Sequence, residues 1–175
     1  ALNLTRFITA VAARTSQLLN YNALAEDAEI DIQTAKAWVN ILETLGIIFL
    51  LHPYSNNVLK RTIKTPKVYF YDTGLVCYLT KWSSPEVAES GAMSGALLEN
   101  FTVSEIMKGY QNAGLEPYLY FYRDRDAKEI DVIMEGDGKL CPLEIKKNAT
   151  PPPPKKKKKN RHARQADYPH IRCHR

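Results

Sequence analysis

Residues 129–146 read EIDVIMEGDGKLCPLEIK, which places two largely apolar stretches on either side of a glycine-rich turn. This pattern predicts a β-hairpin. Side chains alternate between the faces of a strand, so Glu129 and Asp131 share one face of the first strand. By the same rule, Glu144 and Lys146 share one face of the second. If the two faces coincide, the hairpin presents Asp131, Glu144 and Lys146 together.

A helix is predicted ahead of this hairpin, at residues 97–108, with apolar side chains nearly all round. Glu99 lies on the flank that carries Val103 and Ile106, where a carboxylate without a partner is costly. We therefore expect Glu99 to reach the acidic face of the hairpin. An aromatic strand at residues 118–123 lies between the two elements.

Three carboxylates beside a lysine suit phosphodiester hydrolysis. A divalent metal ion neutralises phosphoryl oxygens and lowers the pKa of a bound water. Mg²⁺ prefers hard oxygen ligands, and a nearby amine can orient the attacking water or stabilise negative charge. The prediction is that Asp131 and Glu144 bind Mg²⁺ or Mn²⁺, with Glu99 as a third or a water-mediated ligand, and that Lys146 orients the water. The alternative is a salt-bridged hairpin surface, in which Glu144 and Lys146 pair with Lys128 or Asp131 for little energy.

The spacing Asp-x(12)-Glu-x-Lys behind an acidic helix is the arrangement of PD-(D/E)XK nucleases. The second half of the chain is therefore predicted to be a restriction-endonuclease-like α/β domain.

The first 80 residues predict three short helices followed by a hairpin. Asn22 is a candidate cap of the second helix, and Asp31 caps the third, which Gly46 ends. Two strands follow at residues 47–52 and 67–71. Three helices and a hairpin is the order of a winged helix, whose third helix can enter a major groove of DNA.

Positive side chains in this region are candidates for contacts with DNA phosphates. One lies on the third helix and four lie on the tip and flank of the wing: Lys36, Lys60, Arg61, Lys64 and Lys67. Such a wing could grip phosphates without reading sequence. The alternative is a structural or protein-docking module whose wing is simply solvated.

The net charge of +5 is unevenly distributed, because residues 151–175 hold nine Lys and Arg side chains against one Asp. The other 150 residues therefore carry a net charge of −3. Residues 151–175 begin with four prolines and five lysines, which cannot join a core. They are either a basic arm for nucleic acid or a terminus that is disordered or artefactual.

The remaining sequence features argue against a secreted protein, a membrane-spanning protein and an ATP-binding phosphate loop within this chain. Three scattered cysteines and the lack of a signal pattern or a long apolar run predict a cytoplasmic protein that does not contact a membrane. The chain contains no GxxxxGK[ST] phosphate loop, so it does not bind ATP through that device.

Several separated motifs resemble one known family. They are KVYFYDTGL at 67–75, GALLENF at 95–101, YFYR at 120–123, EID at 129–131 and LEIK at 143–146. Over about residues 2–150, the chain resembles the C-terminal region of predicted prokaryotic AAA-type ATPases, a domain of unknown function. The resemblance implies that an ATPase module with a phosphate loop, which binds the ATP, precedes residue 1 in the parent protein. It also implies a winged-helix part and a nuclease-like part onto whose motif Glu99, Asp131, Glu144 and Lys146 fall.

One departure from the family affects the expected fold. The family continues after the Glu-x-Lys strand with a helix and a further strand, whereas this chain enters Pro151 and the lysine run. We therefore expect an α+β chain with a winged-helix domain at 1–80, a truncated restriction-endonuclease-like α/β domain at 81–150 and a basic tail at 151–175.

Two functions follow from these expectations. The first is DNA binding with a metal-dependent nuclease-like module. The second is a non-catalytic adaptor that lets the ATPase engage DNA or a protein partner.

Overall fold

The computed structural model describes residues 2–55, 65–123, 129–136 and 138–147, which form a mixed α+β fold. This confirms the predicted fold class at the level of α+β. The described ranges hold six helices and five strands. In chain order they are α1 (Leu2–Ala12), α2 (Tyr21–Ala28), α3 (Ile32–Thr44), β1 (Ile48–Pro53), β2 (Lys67–Phe70), α4 (Thr73–Leu79), α5 (Pro85–Ser90), α6 (Ser94–Asn112), β3 (Leu119–Arg123), β4 (Glu129–Gly136) and β5 (Lys139–Leu143).

The caps of the first helices follow their local sequence. The carboxylate of Asp31 accepts a hydrogen bond of 2.8 Å from the backbone N–H of Thr34, as predicted. Helix α2 is instead capped by Asn20, two residues before the predicted Asn22. Gly46, which follows α3, adopts a φ of +66°, a left-handed conformation that glycine adopts at no steric cost.

A single five-stranded sheet runs through both halves of the chain, in the order β2-β1-β3-β4-β5. Strands β1 and β2 are antiparallel, as expected for a wing. Strand β1 then pairs in parallel with β3, at His52 with Tyr120 and at Pro53 with Phe121. The domain boundary predicted at residue 80 stays a prediction. The sheet contains strands from both sides of this residue, β1 and β2 before it and β3–β5 after it.

The hairpin formed by β1 and β2 is buried on both faces. Val68 and Phe70 pack into the core with α1–α3, whereas Tyr69 packs with β3, β4 and α6. This alternation follows from the two-residue period of a strand. It also turns Lys67, two residues before Tyr69, towards the second core.

The outer edge of β2 is covered. Ser16 donates its backbone N–H to the carbonyl of Val68 at 2.8 Å, and Leu19 donates to the carbonyl of Pro66 at 2.8 Å. Farther along, the buried side chain of Asn100 bonds both backbone groups of Phe70. The edge therefore presents no open row of donors and acceptors at these positions.

The predicted hairpin at 129–146 is present as β4 and β5. Strand β5 ends at Leu143, so Glu144 and Lys146 lie beyond the strand on which they were expected. None of the helices in the described ranges is long and apolar enough to cross a membrane.

Candidate functional site

A buried lysine lies at the centre of the acidic residues. The side chain of Lys67 is only 5% exposed. Its Nζ lies 2.9 Å from Oε1 of Glu99, and it forms a second ion pair with Glu129. The ammonium also lies 5.6 Å from the centre of the Phe121 ring. The prediction that Lys67 contacts DNA from an exposed wing is therefore corrected, because its charge is directed into the fold.

The lysine remains charged in this environment. Burial lowers the pKa of Lys67, but the hydrogen bonds and negative charges of Glu129 and Glu99 outweigh burial and raise it. Removing one partner from a buried ion pair leaves an uncompensated charge, which is strongly destabilising. The three side chains thus depend on one another.

Tyr69 is a second hydrogen-bond donor to Glu99. Its hydroxyl donates a hydrogen bond of 2.6 Å to the carboxylate oxygen that also binds Lys67. The tyrosine ring is fully buried and stacks on Phe49, with ring centres 5.5 Å apart. Burial raises the pKa of Tyr69, and the negative charges of Glu99, Asp131 and Glu129 raise it further. The phenol therefore stays protonated and acts as a donor.

The residue next to Glu99 fixes this arrangement from α6. Asn100 is fully buried and its side-chain oxygen accepts hydrogen bonds from the N–H of Phe70 at 2.8 Å and from the Thr15 hydroxyl at 2.6 Å. Its amide donates to the carbonyl of Phe70 at 3.1 Å and to the Thr73 hydroxyl at 2.9 Å. The pair Glu99–Asn100 therefore attaches α6 to β2 through side chains on both residues.

Asp131 lies between this buried cluster and the end of the β4–β5 hairpin. Its Oδ2 accepts a hydrogen bond of 2.7 Å from the backbone N–H of Ile145. Its negative charge contributes to the raised pKa of Tyr69 on one side and of Lys146 on the other. The pairing of β3 with β4 shifts register between Tyr120 and Tyr122, which breaks the simple alternation expected for β4.

Glu144 and Lys146 form an exposed ion pair. Their charged atoms are 2.7 Å apart, and the side chains are 56% and 55% exposed. The hydrogen bond to Glu144 raises the pKa of Lys146, with further contributions from the charges of Glu144 and Asp131. The alternative prediction was an ion-paired hairpin surface with Lys128 or Asp131 as partners; here Glu144 and Lys146 pair with each other, and Lys128 lies outside the described residues.

The predicted metal ligands are not assembled into one group. Within residues 2–55, 65–123, 129–136 and 138–147, no three His, Cys, Asp or Glu side chains are placed so that they could hold a metal ion. One oxygen of Glu99 is bound by both Lys67 and Tyr69, and one oxygen of Asp131 is bound by a backbone N–H. Glu99, Asp131 and Glu144 are therefore not arranged as three ligands of one metal ion in the described residues.

Of the predicted DNA-contacting residues, Lys36 lies exposed on α3, 5.9 Å from the centre of the Tyr21 ring. Lys60, Arg61 and Lys64 lie outside the described residues. Two apolar side chains are exposed at the end of the same helix: Ile41 is 52% exposed, and Leu45, which directly follows α3, is 66% exposed.

Sequence reasoning missed three members of the buried cluster. The sequence predicts the correct strand for Glu129 but no partner, predicts no role for Tyr69, and predicts a contact with DNA phosphates for Lys67. The available signal was the alternation in KVYFY, which puts Lys67 and Tyr69 on one face of a strand that is otherwise apolar and aromatic. A lysine on such a face needs a buried carboxylate.

Two regions of the chain match known protein families. Residues 1–86 match a family described as "Domain of unknown function (DUF8612)", and residues 94–173 match a family described as "Domain of unknown function (DUF4143)". The expectation of domains of unknown function is confirmed. No solved structure matches the chain.

Two curated mycobacterial proteins are similar to the chain. They are "Uncharacterized protein Rv2008c" of Mycobacterium tuberculosis and "Uncharacterized protein Mb2031c" of Mycobacterium bovis, each 29% identical over 152 residues. The match covers 86% of this chain and 33% of each relative. The chain therefore spans about a third of the length of these relatives.

Proposed function

We propose that this chain is a non-catalytic binding region of a larger protein that also carries an AAA-type ATPase module. One observation carries the proposal: the ammonium of Lys67 is held between Glu99 and Glu129 inside the fold. The carboxylate expected to serve as a third metal ligand is used instead to attach β2 to α6. Such an arrangement favours a stable scaffold over a hydrolytic centre.

The ATPase module is supported by the motifs at 67–75 and 95–101, through their resemblance to C-terminal regions of predicted AAA-type ATPases. The share of the curated relatives that lies outside the match leaves ample room for such a module. In this proposal, the ATPase module binds ATP, and the present chain connects it to DNA or to a protein.

The winged-helix-like lobe of α1–α3 with β1 and β2 is the proposed docking element. A protein partner is favoured by the exposed side chains of Ile41 on α3 and of Leu45 directly after it, and by the net charge of −3 outside residues 151–175. DNA is supported by the exposed Lys36 and remains the alternative partner.

Salt-dependent binding separates these partners. We expect fluorescence anisotropy of a labelled duplex to give a shallow dependence of affinity on salt, and we expect Lys36→Ala to leave the slope unchanged. Lys108→Ala is the matched control, because Lys108 lies on α6 and is paired with Glu105. A steep slope that falls by about one unit with Lys36→Ala, but not with Lys108→Ala, would favour DNA.

A metal-dependent nuclease is the second candidate, favoured by the position of Asp131. This carboxylate interacts electrostatically with Tyr69, the partner of Glu99, and with Lys146, the partner of Glu144. Asp131 also accepts a hydrogen bond of 2.7 Å from the backbone N–H of Ile145, the residue between Glu144 and Lys146.

A cleavage assay tests the second candidate directly. The chain is incubated with single- and double-stranded DNA in Mg²⁺ or Mn²⁺, alongside the variants Asp131→Asn and Lys146→Ala. The non-catalytic proposal expects equal background cleavage by all three proteins. Metal-dependent cleavage that disappears in both variants, while Lys108→Ala retains it, would replace the adaptor with a nuclease.

A further inference from the structure

We infer that Lys67 serves as the counter-cation of the Glu99 and Glu129 carboxylates. Its ammonium prevents divalent ions from binding these carboxylates and holds β2 against α6 and β4. The inference concerns how the acidic cluster is neutralised. It excludes Glu99 as a direct ligand of a metal ion, and it does not concern Asp131 and Glu144.

The geometry places two carboxylates around one point. Oε1 of Glu99 lies 2.9 Å from Nζ of Lys67, and Oε1 of Glu129 contacts the same nitrogen. The side chains of Glu99 and Glu129 are 17% and 28% exposed, so water screens their repulsion only in part. Without the ammonium, two negative charges would face each other across a partly dry space.

No other described group among the contacts of Glu99 can supply the missing charge. Tyr69 donates a hydrogen bond to Glu99 but remains neutral, since burial and the surrounding carboxylates raise the pKa of its phenol. Arg123 lies 3.9 Å from Glu129, on the opposite oxygen from the one that Lys67 binds, and is 43% exposed. Lys67 is therefore the cation that joins the two carboxylates.

Contacts other than the ion pair with Lys67 also hold Glu99 in place. The adjacent Asn100 makes four hydrogen bonds that fix α6 against β2, and Tyr69 fixes the Glu99 carboxylate itself. Replacing the lysine by an uncharged side chain should therefore leave the Glu99 carboxylate near its present position. Glu129 keeps its place on β4 through the pairing of its backbone with Arg123 of β3.

A divalent cation has the charge and the ligand preference to replace the ammonium in such a variant. Ca²⁺ binds carboxylate oxygens at about 2.3–2.6 Å, compared with about 2.0–2.1 Å for Mg²⁺. Because the ammonium holds Glu99 at 2.9 Å, Ca²⁺ requires the smaller movement of the two carboxylates. We therefore expect Ca²⁺ to be the better substitute.

The experiment compares thermal melts of the whole chain in millimolar CaCl₂ and in NaCl of equal ionic strength. Lys67→Met removes the charge and keeps an unbranched side chain, whereas Lys67→Arg keeps the charge. In NaCl we expect Lys67→Met to lower Tm by about 6–20 °C, as for the loss of one partner from a buried ion pair. CaCl₂ should restore at least half of that loss.

The controls identify the carboxylates as the ligands. The wild type and Lys67→Arg should have the same Tm in both salts, and Lys67→Met with Glu99→Gln should gain nothing from CaCl₂. A Ca²⁺-dependent rise in the Tm of the wild type that is lost with Glu99→Gln would overturn the inference, because the site would then be open. Failure of CaCl₂ to restore Lys67→Met, including failure of that variant to fold in either salt, would also overturn it.

Discussion

Replacing Asn100 by alanine should be among the most destabilising single changes in α6. The side chain is fully buried and makes four hydrogen bonds, two of them to the backbone N–H and carbonyl of Phe70. Alanine leaves both backbone groups without these partners. Each buried polar group that loses its partner costs about 1–3 kcal/mol, so the two together cost about 2–6 kcal/mol.

Equilibrium unfolding in urea measures this loss. With an m-value of about 2 kcal/mol/M, the midpoint should fall by about 1–3 M while m itself stays constant. Asn112→Ala is the matched control, because it makes the same substitution at an exposed position of the same helix. Its free energy of unfolding should change by less than about 0.5 kcal/mol. A change of that size for Asn100→Ala would refute the role assigned to this side chain.

Three further predictions concern the charged residues. The pKa of Tyr69 is raised from its ordinary value of 10.0, so the phenol ionises more readily in the unfolded chain than in the folded one. The free energy of unfolding should therefore fall as the pH rises above 10.0. Tyr69→Phe should reduce this fall, as measured by urea unfolding between neutral and alkaline pH. Glu129→Gln should cost about 1.5–3 kcal/mol through the weakened bond to a buried ammonium, whereas Glu105→Gln, which weakens an exposed pair, should cost less than about 0.5 kcal/mol. Replacing both Glu144 and Lys146 by alanine should leave the urea midpoint unchanged, because the pair is exposed.

Each of these predictions has an opposing outcome. An unaltered alkaline profile for Tyr69→Phe would mean that the phenol is not held protonated by its surroundings. Equal losses for the two glutamate variants would remove the distinction between the buried and the exposed ion pair. A large loss on removing the exposed pair would show that the end of the hairpin depends on it.

Local patterns were sufficient for the elements that depend on near neighbours. The spacing of apolar residues predicted α1–α3, the side chain of Asp31 predicted the start of α3, and the glycine-rich turn predicted the β4–β5 hairpin. Each of these features is determined by residues that lie within a few positions of one another.

Contacts between residues far apart in the sequence could not be predicted from local patterns. The parallel contact of β1 with β3 joins residues 52 and 120, and no periodicity encodes such a partner. The partners of Lys67 lie 32 residues and more away along the chain, so the local sequence was as compatible with a contact to DNA phosphates as with a buried ion pair. The expected position of Glu144 failed for a different reason, since strand β5 ends one residue before it.

The two borders of the sheet differ in what they permit. On the β2 side, residues 16–19 and an amide from α6 already occupy the backbone groups, so another strand would have to displace them. On the other border, β5 is the last strand in the described part of the chain, and its exposed Pro142 lacks an N–H. A further strand, from a neighbouring segment or from a second molecule, would therefore add to β5 without displacing these contacts, and it would find no backbone donor at Pro142.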